Sequence, residues 1–136
     1  MKEELKGPLV ENVFVTVIQE IGLDNEPVYN VYLINNKDTD LDNVLVTSKG
    51  YLKSREDGSK IETSTIRRNL KTIKSKSFQK IEPIIEEVFG LNNEYWISFW
   101  IEDKLYDKKF IFLPETIKEE NFVDVPIINK KGVLIQ

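Results

Sequence analysis

The sequence predicts an all-β fold: an immunoglobulin-like antiparallel β-sandwich of about seven to eight short strands with at most one or two short helical turns. Three observations predict it. Runs rich in Val, Ile, Thr, Tyr, Phe and Trp recur at a spacing of roughly ten residues, the rhythm of short pleated strands. Polar or Gly/Pro/Asn/Asp-rich stretches separate the runs and supply turns. Some runs alternate while others are apolar throughout, as inner and covered strands of a sandwich do. The 136 residues have the size of one domain, 1–136, with a core that needs no staple.

In chain order, Val13 to Ile21 alternates and is rich in β-branched residues, which favours strand over helix. GLDNEP (22–27) is a turn by composition, and VYNVYLI (28–34) reads as a strand covered on both faces. The loop NNKDTDLD (35–42) carries Asp38, Asp40 and Asp42 at alternate positions. A calcium loop counted from Asp38 needs glycine and glutamate where Asn43 and Lys49 stand, so a solvated turn is expected instead. Val44 to Leu52 is the next strand, with Gly50 a candidate bulge. Asp57-Gly58 signals a hairpin into a strand from Ile61 to Leu70, and Phe78 to Ile81 follows the polar connector KTIKSKS. From Ile81 the apolar residues Ile84, Ile85, Val88 and Phe89 fall at helical spacing after Pro83 and before Gly90, which predicts one or two helical turns over 82–90. A strand ending at Ile85 competes with it.

Glu94 to Pro114, EYWISFWIEDKLYDKKFIFLP, holds both tryptophans and reads as one hairpin turning at Asp103-Lys104. Its inner face joins Tyr95, Ile97, Phe99 and Ile101 to Tyr106, Phe110 and Phe112, interrupted by Lys108. Its other face sets Trp96, Ser98, Trp100 and Glu102 against Leu105, Asp107, Lys109, Ile111 and Leu113. Beyond Pro114, TIKE (116–119) has capping-box spacing for one helical turn. Phe122 to Ile128 is a strand demoted toward an edge by Pro126, and Val133 to Ile135 is the last short strand.

Cysteine and histidine are both absent. Disulfides, thiolate metal sites, imidazole ligands and histidine general bases go with them, and no cofactor is expected. An acidic amino-terminal stretch and the lack of any apolar run near 18 residues favour a cytoplasmic protein without membrane association. The net charge of −4 is unevenly spread: +7 over 49–80, −6 before it and −5 after it. Internal pairing of the basic middle with acidic neighbours is the simplest use of that pattern, and an anionic partner is the other.

The succession VYLINN (31–36), VLVTSKGY (44–51), TSTIRR (63–68), SFQKIEPI (77–84), LNNEYWISFW (91–100) and LYDKKFIF (105–112) resembles a family of short uncharacterised bacterial proteins. Members of that family often bear an automatic label as the α subunit of phenylalanyl-tRNA synthetase. The resemblance covers most of the chain and supplies no catalytic or ligand-binding residue. A chain of this length, lacking histidine and an adenylate-binding motif, holds no aminoacylation domain.

Two surfaces remain as candidates. Trp96, Trp100 and Lys109 lie on the hairpin's second face, which is either core under another sheet or an open patch for a protein partner or a homo-oligomer. Arg67, Arg68, Lys71 and Lys74, with Lys76 and Lys80, form an acid-free run suited to phosphates or another anionic ligand, though Phe78 is its only aromatic and nucleic acid usually meets basic domains. The carboxylates Glu82, Glu86, Glu87, Glu102 and Asp107 are read as ordinary strand and turn acids rather than catalysts. The expected role is a non-enzymatic binding or protein-interaction module, with nucleic-acid or anionic-ligand binding through Arg67–Lys80 as the alternative.

Overall fold

A computed structural model describes residues 8–53 and 56–136. Ten strands run through them: β1 (Val13–Ile21), β2 (Pro27–Asn35), β3 (Leu41–Lys53), β4 (Lys60–Glu62), β5 (Ile66–Ile73), β6 (Ser77–Ile84), β7 (Asn92–Ile101), β8 (Lys104–Phe112), β9 (Val123–Val125) and β10 (Lys130–Ile135). All pair antiparallel. The first sheet has the order β6-β2-β1-β10-β9. The second has β4-β3-β7-β8, and β5 continues the β4 side of β3. With β2 beside β6 in one sheet and β3 beside β7 in the other, the central strands follow the Greek-key order of immunoglobulin-like sandwiches. The count exceeds the expected seven to eight because the Ile61–Leu70 run divides into β4 and β5, and β9 and β10 both form.

The inner faces make one core. Val13, Val15, Val17, Val31, Leu33 and Ile81 from the first sheet meet Leu41, Val46, Tyr95, Ile97, Phe99, Phe110 and Phe112 from the second. Phe99 stacks on Tyr106 with centroids 5.3 Å apart, and Tyr95 meets Phe112 edge-on at 6.1 Å. Lys108 interrupts this face as expected, and its ammonium lies 5.1 Å from the Phe110 ring centroid while its stem follows the apolar surface. β1 is covered on its outer side too. Ile18 and Ile34 pack there with Val125 and Ile128, supplied by β9 and the segment after it.

Several local expectations are corrected. β6 runs through Pro83 to Ile84, and only a 3-10 turn at Glu86–Val88 follows, so the 82–90 helix does not form. Pro83 is accepted because β6 is the sheet's edge and needs no outward N–H there. The hairpin turns at Glu102-Asp103, one residue earlier than expected, because Ile101 pairs with Lys104 and Glu102 takes a φ of 54°. Partners therefore shift by two positions, which leaves the same side chains on each face. Gly50 pairs regularly with Asn93, and the irregularity in β3 lies instead near Val44, beside Asn43 at a φ of 49°. The connector at 71–73 is strand, the end of β5. The expected hairpin forms, with Lys53 of β3 opposite Lys60 of β4 and Asp57-Gly58 in the turn between them; Ser54 and Arg55 lie outside the described residues. The turn expected at 116–119 becomes a 3-10 turn at Glu119–Asn121 without a side-chain cap; Thr116 Oγ1 donates to Leu113 O instead.

Candidate functional site: the outer face of the second sheet

Strand alternation decides which side chains the second sheet turns outward. Inward placement of Tyr95, Ile97 and Phe99 obliges Trp96, Ser98 and Trp100 to face away from the core. Register then aligns neighbours across the sheet: Arg67 of β5, Thr47 of β3, Trp96 of β7 and Lys109 of β8 share one rung. Asn69, Leu45, Ser98 and Asp107 share the next, and Trp100 pairs with Leu105 beyond it. Nothing among the described residues covers this face as the β9 segment covers the first sheet. Trp96 is 44% exposed, Trp100 37%, Leu45 49% and Leu105 45%. The tryptophans are therefore surface residues rather than core.

The small side chains Thr47 and Ser98 make the middle of the face low, and larger ones stand around it. The result is an open groove of about 620 Å³, walled by Arg67 and Asn69 on one side and by Trp96, Leu105 and Asp107 on the other. That volume lies in the range of ligand-sized clefts. Lys109 sits with its ammonium 4.6 Å from the Trp96 ring centroid, and Lys49, one rung further, lies 5.6 Å from that of Tyr51. These two cations rest on aromatic rings. Arg67 and Asp107 have no ion-pair or side-chain hydrogen-bond partner among the described residues.

The basic run does not form one surface. Arg67 faces the groove, whereas Arg68, on the opposite side of β5, sends its Nε to 3.4 Å from Glu82 Oε1. Lys71 takes a φ of 61° at a β5 irregularity, its N–H donating to Asn69 Oδ1. Lys74 and Lys76 flank the turn after β5, where Lys74 lies 3.9 Å from Asp40 and Lys76 3.8 Å from Asp38. Asp40 also accepts from Ser75 N–H, and Asp42 from Thr72 Oγ1. Asp38 and Asp40 thus answer two lysines of the basic middle across two adjacent loops. Lys80 lies on β6 in the other sheet, opposite Tyr32.

A second cleft, about 430 Å³, opens between the sheets beside β6 and holds Glu82, Ser48 and Tyr95. Glu82 accepts from Ser48 Oγ at 3.2 Å, Arg68 Nε at 3.4 Å and Tyr95 Oη at 2.9 Å. Burial, then the Glu82 charge and hydrogen bond, push the Tyr95 phenol far above its ordinary range. This cluster joins β6 of one sheet to β3, β5 and β7 of the other, with every member engaged. Glu86 and Glu87 lie in the 3-10 turn and Glu102 in the hairpin turn.

Sequence reasoning missed Leu45, Thr47 and Asn69 as groove residues. Alternation along β3 marks Leu45 and Thr47 as one face, but only the β3–β7 pairing, formed across about fifty residues of chain, makes them neighbours of Trp96. Its objection that the basic run lacks aromatics is local as well, since the fold brings Trp96 onto the rung of Arg67. The fold and face define a β-sandwich with one sheet face left open. Comparison of the chain with protein-family models, curated proteins and solved structures finds no match. No helix among the described residues is long and apolar enough to cross a membrane.

Proposed function

We propose that the protein is a non-enzymatic binding module, set in the cytoplasm, that docks a protein partner through the outer face of its second sheet. One observation carries the reading: two tryptophans and two leucines are exposed together on a regular sheet face, whereas on the first sheet's outer face the residues around β1 are covered by the β9 segment. Contiguous exposed apolar and aromatic residues rimmed by charges have the anatomy of an interface centre. A non-catalytic role is supported by the carboxylates: Glu82 is held by three donors, Asp38, Asp40 and Asp42 by lysines and hydroxyl or amide donors, and Asp107 stands in the groove with Glu102 away in the hairpin turn. A second reading, single-stranded nucleic acid, is favoured by the Arg67–Trp96 rung, where a cation and a stacking platform line one groove on either side of Thr47. Against it, Arg68, Lys74 and Lys76 are engaged with acids, and Asp107 stands in the groove.

Affinity capture from a lysate, with and without nuclease, tests both readings. The protein reading predicts proteins retained at moderate salt after nuclease and lost with the Trp96→Ala/Trp100→Ala variant. Retention that disappears on nuclease treatment and falls steeply with salt would overturn it in favour of nucleic acid.

A further inference from the structure

Asn93 stands on the inward-facing side of β7, two residues before Tyr95, and its neighbours decide what its side chain can do. Its Nδ2 donates to Val88 O at 2.9 Å and to Leu91 O at 3.2 Å, which anchors the chain entering β7. Both amide protons are thereby engaged, and because carbonyls cannot donate, the carboxamide has one orientation. Its oxygen is left to the cleft between the sheets beside β6, which Asn93 lines. Opposite it on β3 stands Gly50, with no side chain to cover it; a Cβ there would lie 3.3 Å from Asn93 Oδ1. Asn93 is only 6% exposed, yet Oδ1 accepts from no donor among the described residues. No fully enclosed side-chain oxygen or nitrogen among those residues lacks a partner, so Oδ1 keeps its access through the cleft.

We infer that this cleft, about 430 Å³, is a binding site for a small neutral molecule with a compact apolar body and one hydrogen-bond donor, an alcohol or an N–H, which Asn93 Oδ1 accepts. The other side chains of the cleft select that chemistry. The Ser48 and Tyr95 hydroxyls already donate to Glu82, and Thr63 Oγ1 donates to Ser64 O while accepting from Gly50 N–H. The donor must therefore come from the ligand. An anion is turned away by Glu82 and by the lone pairs of Oδ1, and a cation gains little because Arg68 already answers the Glu82 charge. The apolar body has its own partners: Ile84 is buried in the cleft, while Ile66 and Ile85 line it at 41% and 59% exposure. Water at Oδ1 leaves those side chains unfilled, so an apolar body that brings a donor displaces it with gain. This site goes beyond the docking reading, lies between the sheets rather than on the outer face, and needs none of the groove residues there.

An NMR titration of the full chain tests the inference with benzyl alcohol, cyclohexanol and indole, each set against the counterpart whose donor is methylated. The donor probes are expected to give saturable shifts of the Gly50 amide, the Asn93 side-chain amide and the Ile84 and Val88 methyls. Each methylated counterpart is expected to bind at least about tenfold more weakly, because it leaves Oδ1 unpaired. Gly50→Ala, whose methyl stands against Oδ1, is expected to remove the response of Asn93, Ile84 and Val88. That methyl meets the ends of side chains that can give, Leu91 Cδ1 at 3.1 Å among them, so the melting temperature should fall by no more than a few degrees. Should Gly50→Ala fail to fold, Ile85→Ser at its exposed position is expected to melt like wild type and to weaken the same probes several-fold. Absence of shifts at these groups with every probe overturns the inference, as do methylated counterparts that bind equally well or a folded variant that binds like wild type. The Trp96→Ala/Trp100→Ala variant should leave the titration unaltered, so the cleft and the docking face stand or fall separately.

Discussion

At the scale of single residues, the same polar side chain plays different parts according to what its neighbours donate. Glu20 faces the outside of the first sheet, where it accepts from Asn30, Tyr32 and Lys130, each within 2.7 Å. Burial raises its carboxyl, and the three donors together outweigh that, so the group ends below the usual carboxylate range. Tyr32, half-buried and donating to Glu20, is pushed up to about 12 by that burial and then by the Glu20 hydrogen bond and charge. A depressed carboxyl contributes stability that is present above its unfolded value and lost as pH falls through its folded one. A raised phenol contributes below its unfolded value, and that share disappears as pH rises through about 12. Glu20→Gln is therefore expected to cost about 1 kcal/mol near neutrality, with the gap to wild type closing on acidification. Urea midpoints measured near neutral pH and again in acid read that gap; one that holds constant would deny the Glu20 cluster its role. Tyr95, raised further still by burial and Glu82, should ionise only as the sandwich opens in alkali.

At the scale of elements, what is legible in the sequence is whatever alternation can encode locally. The β7–β8 hairpin can be read face by face because period two is a property of each strand alone. The helical spacing over 82–90 misleads for an equally local reason. In β6, Lys80 pairs with Tyr32 and Glu82 with Val31, which leaves Ile81 as an extra residue. Ile81 and Ile84 consequently both reach the core three positions apart, a bulge that imitates helical spacing. Leu41 and Val44 do the same in β3 around Asn43. Neighbour relations are not legible, and the candidate site depends on them: Arg67 and Trp96 read as rival surfaces because nothing local says that β5 and β7 flank β3. One such long-range approach is β10 against β1. A side chain at Gly132 would place Cβ 2.3 Å from Val17 O and 2.7 Å from Ile18 Cδ1. Gly132→Ala should destabilise by about 2–4 kcal/mol through forced strand separation, measurable as a lowered melting temperature. A neutral result would mean that β10 does not lie against β1 in this register.

At the scale of the whole molecule, the two sheets are finished differently. The first covers its outer face around β1 with its own β9 segment, and its last strand, β10, seals β1 by pairs such as Val15 with Ile135. The second turns Trp96, Trp100, Leu45 and Leu105 outward with no described residue covering them. The basic middle, which dominates the charge pattern of the sequence, is in part an internal device: Arg68, Lys74 and Lys76 meet Glu82, Asp40 and Asp38, while Arg67 is left facing the groove. The central claim is that this open face is where the molecule docks a protein partner. Affinity capture after nuclease at moderate salt, with wild type and with the Trp96→Ala/Trp100→Ala variant, tests it most directly. The account predicts that proteins retained by wild type are lost by the variant. Equal retention by both, or retention that disappears with nuclease, would contradict it.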